Sequence, residues 1–192
     1  MPLADRTRWD ARHRQRIEGP GEPEPFLLAL ADRLPRSGRA LDLAGGWGRN
    51  AARLAARGLD VTVADISPIA LGRASRLAFE GTGTIQPLAI DLEEAPFPAG
   101  PWELILCVRF LHRPTYRAIP DHLAGSGLAI VVHPTSMNLE RNARPGRRHL
   151  LEPGELPGLL PGLEVVQSSE GWTGEGRHEA HFLGQRPPRG PG

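Results

Sequence analysis

Two apolar periods alternate along the 192-residue chain. Short continuous runs at 40–44, 60–65, 84–90, 103–108 and 128–132 end in Gly, Pro or acidic residues, as buried strands do. Between them apolar residues recur at helical spacing. Ala51, Leu54, Ala55 and Ala56 mark a helix over about 48–57, with Gly58 as its stop. Ser67-Pro68 supplies an N-cap and first helical residue for a helix running to about Glu80. Residues 113–123 read as helical, although Pro120 is a poor interior residue. Upstream, Trp9, Ala11, His13 and Ile17 give a short amphipathic helix over 5–17, broken by the Gly- and Pro-rich stretch 19–25. A second helix, Phe26–Leu34, stops at Pro35. Downstream, 134–152 is polar, arginine-rich and irregular. Leu163–Ser168 and His178–Leu183 have the pattern of an antiparallel pair.

Strand–helix alternation through residue 133 predicts a doubly wound, Rossmann-like α/β fold, with a mostly parallel sheet and an antiparallel C-terminal hairpin. The expected organisation is a helical cap over 1–35, a main domain over 36–186 and a disordered tail over 187–192, where Pro and Gly dominate. The C-terminal ends of parallel strands share one edge, where ligands bind. Asp42, Asp65 and Asp91 all fall at that edge.

The turn after the first strand, Asp42-Leu43-Ala44-Gly45-Gly46-Trp47-Gly48, carries the most chemistry. Its glycines give the backbone conformational freedom and let a ligand lie against it. The helix that follows points its amides at that ligand. Asp65 closes the next strand, where a carboxylate can accept both ribose hydroxyls. Its partners there would be neutral donors, so it is expected to stay ionised. The dinucleotide fingerprint places a third glycine where Ala51 stands, so a pyrophosphate site is disfavoured.

Composition narrows the chemistry further. Net charge is +1, so no global field recruits nucleic acid or membrane. All 23 basic residues are arginine, which excludes a lysine Schiff base, a Walker-type lysine and a Tyr-x-x-x-Lys pair. The single cysteine, Cys107, lies in an apolar run and reads as a small buried hydrophobe. The seven histidines are scattered, so no metal site is expected. The N-terminus has no signal-peptide pattern and no apolar run approaches a membrane span, so a cytoplasmic setting is expected.

The pattern from Asp42 to Gly48 with Asp65 and Asp91 resembles class I S-adenosylmethionine (SAM)-dependent methyltransferases. Other segments are similar to a small group within them, the tellurite-resistance (TehB-like) methyltransferases: Trp9-Asp10-Ala11-Arg12, Gly46-Trp47-Gly48-Arg49-Asn50, Asp65-Ile66-Ser67-Pro68, Arg109–Pro114 and Leu150–Leu156. The resemblance implies a seven-stranded sheet, SAM as cofactor, and a small-molecule acceptor, with a soft or anionic one in view. It departs at Gly45, where the family often has Cys, and at Val132–Ser136, where it has an aromatic and acidic run. Arg177 and His178 are the nearest candidates for the family's His/Arg pair by the last hairpin.

The cofactor contacts expected on this basis are distributed along the chain. Asp65 holds the ribose, Ile66 and Leu92 pack the adenine, and Asp91 reads its amino group. Ala44, Gly46, Gly48 and Asn50 line the turn, and Asp42 receives the methionine ammonium. Arg12 pairs with the methionine carboxylate, Trp9 shields the site, and Arg109 reaches it from the strand-four edge. For chemistry the candidates are Arg109, His112, Arg113 and Arg148. His112 and Arg113 equally read as the start of a helix, and His133 as a structural histidine. Arg141, Arg144, Arg147, Arg148 and His149 form either an anion-binding lid or a solvated loop. The alternatives are an RNA or protein methyltransferase, a non-catalytic SAM-binding protein and a nicotinamide-dependent oxidoreductase. The low aromatic content, 5%, leaves few side chains for base stacking.

Overall fold

A computed structural model describes residues 2–15, 19–77 and 79–188. Seven strands form one sheet: β1 (Arg39–Leu43), β2 (Asp60–Asp65), β3 (Thr84–Ala89), β4 (Trp102–Val108), β5 (Leu123–Pro134), β6 (Glu164–Trp172) and β7 (His178–Gln185). Their order is β3-β2-β1-β4-β5-β7-β6. The first five are parallel, and β7 runs antiparallel between β5 and β6. The order reverses between β1 and β4, which opens a crevice beyond their C-terminal ends.

Burial follows from strand position. Central β1 and β4 are apolar on both faces because helices cover both. Edge strand β3 is largely exposed and tolerates Pro87. Helices α2 (Pro25–Ala29), α3 (Arg49–Ala56) and α4 (Pro68–Ala74) contribute Phe26, Leu54 and Leu71 to one core layer, with Ala40, Leu104 and Val132 beneath. On the other face α5 (Arg113–His122) and a 3₁₀ turn at Leu156–Leu159 contribute Tyr116, Ile119 and Leu156 over Leu41, Ile105 and Val131. Cys107 is fully buried in this second layer.

Several boundaries differ from the sequence expectation. The helix begun at Pro68 ends at Ala74, well short of Glu80. The segment 26–34 splits into α2 and a 3₁₀ turn at Ala31–Arg33, which lets Leu30 and Leu34 both reach the core. Strand β5 is longer than 128–132 because it starts beside Trp102 and shifts register before Leu128; Ser126 takes φ 63 in that irregularity. Helix α1 (Pro2–Gln15) stands where the first amphipathic helix was expected; Ile17 lies outside the described residues. So does 189–192 of the expected tail. No helix among the described residues is long and apolar enough to cross a membrane.

Candidate cofactor and acceptor site

The crevice at the β1/β4 switch is floored by the glycine turn. Ala44 (φ 51), Gly46 (φ 57) and Gly48 (φ 76) all take left-handed backbone, and the Gly48 N–H closes the turn on Gly45 O at 2.9 Å. The three glycines do different things. A Cβ on Gly45 would stand 2.7 Å from Asp42 Oδ2 and 2.8 Å from Val63 Cγ1, so this glycine admits the Asp42 carboxylate. A Cβ on Gly48 would stand 3.0 Å from Ala74 Cβ, so that glycine lets α3 approach the end of α4. A Cβ on Gly46 would meet nothing nearer than His13 Cε1 at 3.9 Å and Asp65 Oδ2 at 4.0 Å. Gly46 therefore faces an open slot.

This contrast yields a paired test. Gly45→Ala is expected to lose about 3 kcal/mol of stability, from overpacking against Asp42 and Val63. Gly46→Ala is expected to lose only about 1 kcal/mol, the cost of a left-handed alanine, yet to weaken S-adenosylhomocysteine (SAH) binding by at least tenfold by filling the slot. Chemical denaturation and calorimetry on both variants separate the effects. Equal SAH affinity in Gly46→Ala would show that no ligand lies over this turn.

Asp42 is 1% exposed. The Ala51 N–H donates to it, so it caps the start of α3 where the N-cap, Gly48, has no side chain. Its Oδ2 has no hydrogen-bond partner among the described residues. Burial pushes its pKa up to about 7, Arg49 opposing and Asp65 adding to the rise. A buried carboxylate with one orphaned oxygen fits a cationic ligand group such as the ammonium of SAM's methionine moiety.

Asp65, 7% exposed, accepts the Gly46 N–H on Oδ2 and the Ser67 N–H on Oδ1, both at 2.9 Å. Its pKa is raised by burial, against the pull of those amides and of His13. Upward pressure from burial was not anticipated from its position in the sequence. Ile66 is half-buried beside it, and Ser67 Oγ accepts the Ala70 N–H as the N-cap of α4. Asp91 Oδ1 accepts the Glu93 N–H at 3.0 Å in the turn after β3, and Leu92 is buried next to it. Helix α1 lies over this end of the crevice. Ser67 Oγ donates to Asp10 Oδ1 at 2.5 Å, Trp9 stacks on His13, and His13 meets Trp47 at a centroid distance of 6.1 Å. Arg12 is exposed, its guanidinium 5.2 Å from the Trp9 centroid.

The β4 side is built from charge. Arg109 takes φ 59 immediately after β4, with its N–H on Val132 O at 2.8 Å. Its guanidinium spans two buried carboxylates: Nε donates to Glu179 Oε1 at 2.8 Å, and Nη2 lies 3.1 Å from Glu24 Oε2. Arg177 Nε reaches the same Glu179 oxygen at 3.0 Å, and Arg49 stands 3.6 Å from Glu24. Asn50 Oδ1 accepts the Glu24 N–H at 2.8 Å and so ties the segment before α2 to α3. Glu24 and Glu179 are site residues that sequence reasoning missed. Among the described residues, Glu24, Glu179 and His181 have ligand-type atoms within 4.8 Å of one another. The Arg109 guanidinium already bridges the two carboxylates.

Other candidates are engaged differently. Arg113 makes a two-pronged pair with Glu155 at 2.5 and 2.9 Å, which raises the arginine and lowers the glutamate, and it fastens 150–155 to the start of α5. His112 precedes α5, with Nδ1 2.8 Å from Thr115 Oγ1. His133 is buried, its Nε2 2.9 Å from His149 O, and burial pushes its pKa down to about 4, so it is neutral. Arg148 is exposed beside His149 on a 3₁₀ turn. Arg141 stacks 3.8 Å over Trp172, and Arg147 pairs with Glu152. His178 Nδ1 lies 2.7 Å from Thr135 Oγ1. The glycine turn, Asp65, Arg109, the 136–149 segment and the β6–β7 turn share one sheet edge.

Comparison with known proteins agrees with this geometry. Residues 40–125 match the family model described as a methyltransferase domain. No curated protein matches the sequence. Among solved structures, magnesium protoporphyrin IX methyltransferase from Synechocystis with bound SAH is 18% identical, with 96% of this chain and 99% of that chain covered at a TM-score of 0.68. A TehB-like SAM-dependent methyltransferase from Corynebacterium glutamicum is 19% identical, with coverage of 97% and 96% and a TM-score of 0.61. A protein that converts a disulfide bond into a thioacetal group in echinomycin biosynthesis is 17% identical, with coverage of 95% and 91% and a TM-score of 0.67. With the strand order, the glycine turn and the matched domain in agreement, the chain has the fold of class I SAM-dependent methyltransferases, with a methyltransferase domain matched over 40–125.

Proposed function

We propose that this enzyme methylates a small molecule through a soft or anionic nucleophile, in a cytoplasmic setting. The observation that carries this reading is the charge at the β4 edge. Arg109 and Arg177, both partly exposed, and the arginines of 141–148 frame the acceptor side. Such an edge attracts an anion, and its carboxylates, Glu24 and Glu179, are already paired with Arg109 and Arg177. The cofactor supplies a sulfonium methyl that is already electrophilic. The protein's work is then to align the acceptor and exclude water. A thiolate or chalcogen oxyanion needs no deprotonation at the site, whereas a neutral N–H or O–H does. The likeness to the echinomycin protein, which acts at sulfur, supports the same preference.

Within this reading Asp42 takes the methionine ammonium, Asp65 the ribose hydroxyls, and Ile66 and Leu92 the adenine ring with Asp91 at its edge. Ala44, Gly46 and Gly48 give backbone approach, with Asn50 holding the adjoining segment. Arg12 and Trp9 on α1 close the methionine end within the 1–35 cap. Arg109 and His112 face the acceptor, Arg113 positions the 150–155 strap against α5, and Arg148 belongs to an acceptor lid. The experiment is SAH formation across thiols, chalcogen oxyanions, carboxylates and RNA, with wild type and Arg148→Ala. Turnover of a soft anion, with kcat/KM about tenfold lower in Arg148→Ala and SAH affinity unchanged, is the expected result. Turnover of RNA alone would overturn the small-molecule reading, and unchanged kcat/KM would remove Arg148 from the site.

A further inference from the structure

The slot over Gly46 has two walls. One is the Asp65 carboxylate, whose Oδ2 already accepts the Gly46 N–H on one lone pair. The other is the His13 ring, whose Cε1 approaches the same point over Gly46 to 3.9 Å against 4.0 Å for Asp65 Oδ2. His13 is held there from two sides. Trp9 stacks on it at 5.9 Å and Trp47 tilts against it at 6.1 Å, with Arg73 in turn 3.9 Å above Trp47. One turn earlier on the same helix, Asp10 is bonded to Ser67, two residues beyond Asp65. Helix α1 is thus docked so that its one histidine overhangs the acid at the end of β2.

We propose that His13 is a binding residue for the ribose of the cofactor: a vicinal diol enters the slot between imidazole and Asp65, accepted by the carboxylate and hydrogen-bonded on its other side by the ring. The inference rests on the SAM site described above. It gives α1 a polar role in recognition rather than that of a cover alone. A slot walled by a carboxylate and an imidazole is suited to hydroxyls, because each hydroxyl both donates and accepts.

Calorimetry with SAH tests it, on wild type, His13→Ala, His13→Phe, Asp65→Asn and the double variant His13→Ala/Asp65→Asn. His13→Phe keeps a ring between Trp9 and Trp47 and removes the polar edge. Both His13 variants are expected to bind SAH about tenfold more weakly than wild type, the scale of one hydrogen bond. The loss in the double variant should be smaller than the product of the two single losses, because both groups serve the same diol. Wild-type affinity in His13→Phe would overturn the proposal and reduce His13 to packing. Fully multiplicative losses would overturn it too, since the two residues would then act on separate parts of the ligand. Failure of wild type to bind SAH at all would remove the cofactor reading and this inference with it.

Discussion

Asp42→Asn is expected to bind SAH about a hundredfold more weakly than wild type while making the ligand-free protein more stable at neutral and alkaline pH. The two effects have one cause. Asp42 is buried, its carboxyl is pushed from 3.8 to about 7, and its Oδ2 has no partner among the described residues. In the free protein the fold holds a proton on this group more tightly than the unfolded chain does. Stability contributed by the protonated form is therefore present below pH 3.8 and declines as pH rises, until Asp42 is fully ionised above about 7. The full cost is about 4 kcal/mol at 1.36 kcal/mol per tenfold in proton affinity. Asparagine keeps the shape and an acceptor for the Ala51 N–H, and it carries no charge to bury. Binding reverses the balance, because an ammonium beside an ionised Asp42 is a desolvated charge pair whose truncation costs roughly 2–5 kcal/mol.

Two measurements check this. Denaturation of the ligand-free proteins across pH 5–8 should show the stability of Asp42→Asn relative to wild type growing with pH up to about 7, with the contribution of buried, neutral His133 common to both. Calorimetry over the same range should show wild-type SAH affinity dropping about tenfold per pH unit below 7, because binding must then release a proton. A wild-type profile parallel to the variant's would mean that Asp42 is ionised at ordinary pH, held so by a partner not found among the described residues. Destabilisation for function of this kind is common where a ligand completes a site.

The same residue illustrates what was legible in the sequence. Asp42, the glycine turn and Asp65 were readable because a strand, its turn and the next strand are local, and each residue has a backbone reason for its place. The N-cap at Ser67 was readable for the same reason. The orphaned Asp42 oxygen was not, since burial on both faces depends on α3 and the whole sheet. The carboxylates around Arg109 were equally hidden. Glu179 is 70 residues from Arg109 in sequence and sits in a strand whose pattern gives no sign of an inward acid. Glu24 lies in a Pro- and Gly-rich stretch that reads as a breaker, yet it is 2% exposed. Arg113 was noted for chemistry because it follows β4, and its two-pronged bond to Glu155 becomes visible only once the 150–155 strap is folded against α5.

Glu179→Gln is expected to cost about 3 kcal/mol of stability and to lower turnover more than SAH affinity. Glu179 is 1% exposed and receives Arg109 and Arg177 together. Burial alone would raise its pKa, but the two guanidiniums outweigh that and hold it below the usual 4.5. Removing the charge leaves two arginines at a buried point with one acceptor fewer, the situation in which a broken buried pair costs about 3–5 kcal/mol. Arg109 also holds φ 59 directly after β4, a conformation a non-glycine residue keeps only when its surroundings fix it. Losing Glu179 therefore loosens the backbone at the β4 edge, proposed above to face the acceptor, whereas the glycine turn and Asp65 are untouched. The sign with pH is opposite to that of Asp42. Stability from Glu179 is complete above pH 4.5 and is lost as pH falls through its lowered folded value. Between them the Asp42 cost grows from pH 3.8 toward 7 and the Glu179 contribution fails below 4.5, while buried, neutral His133 adds stability as pH rises from about 4 to 6.5. In Glu179→Gln the acid limb should flatten while the neutral limb keeps its slope. Unchanged stability at pH 5 in that variant would show that Arg109 and Arg177 reach other acceptors when Glu179 is neutral.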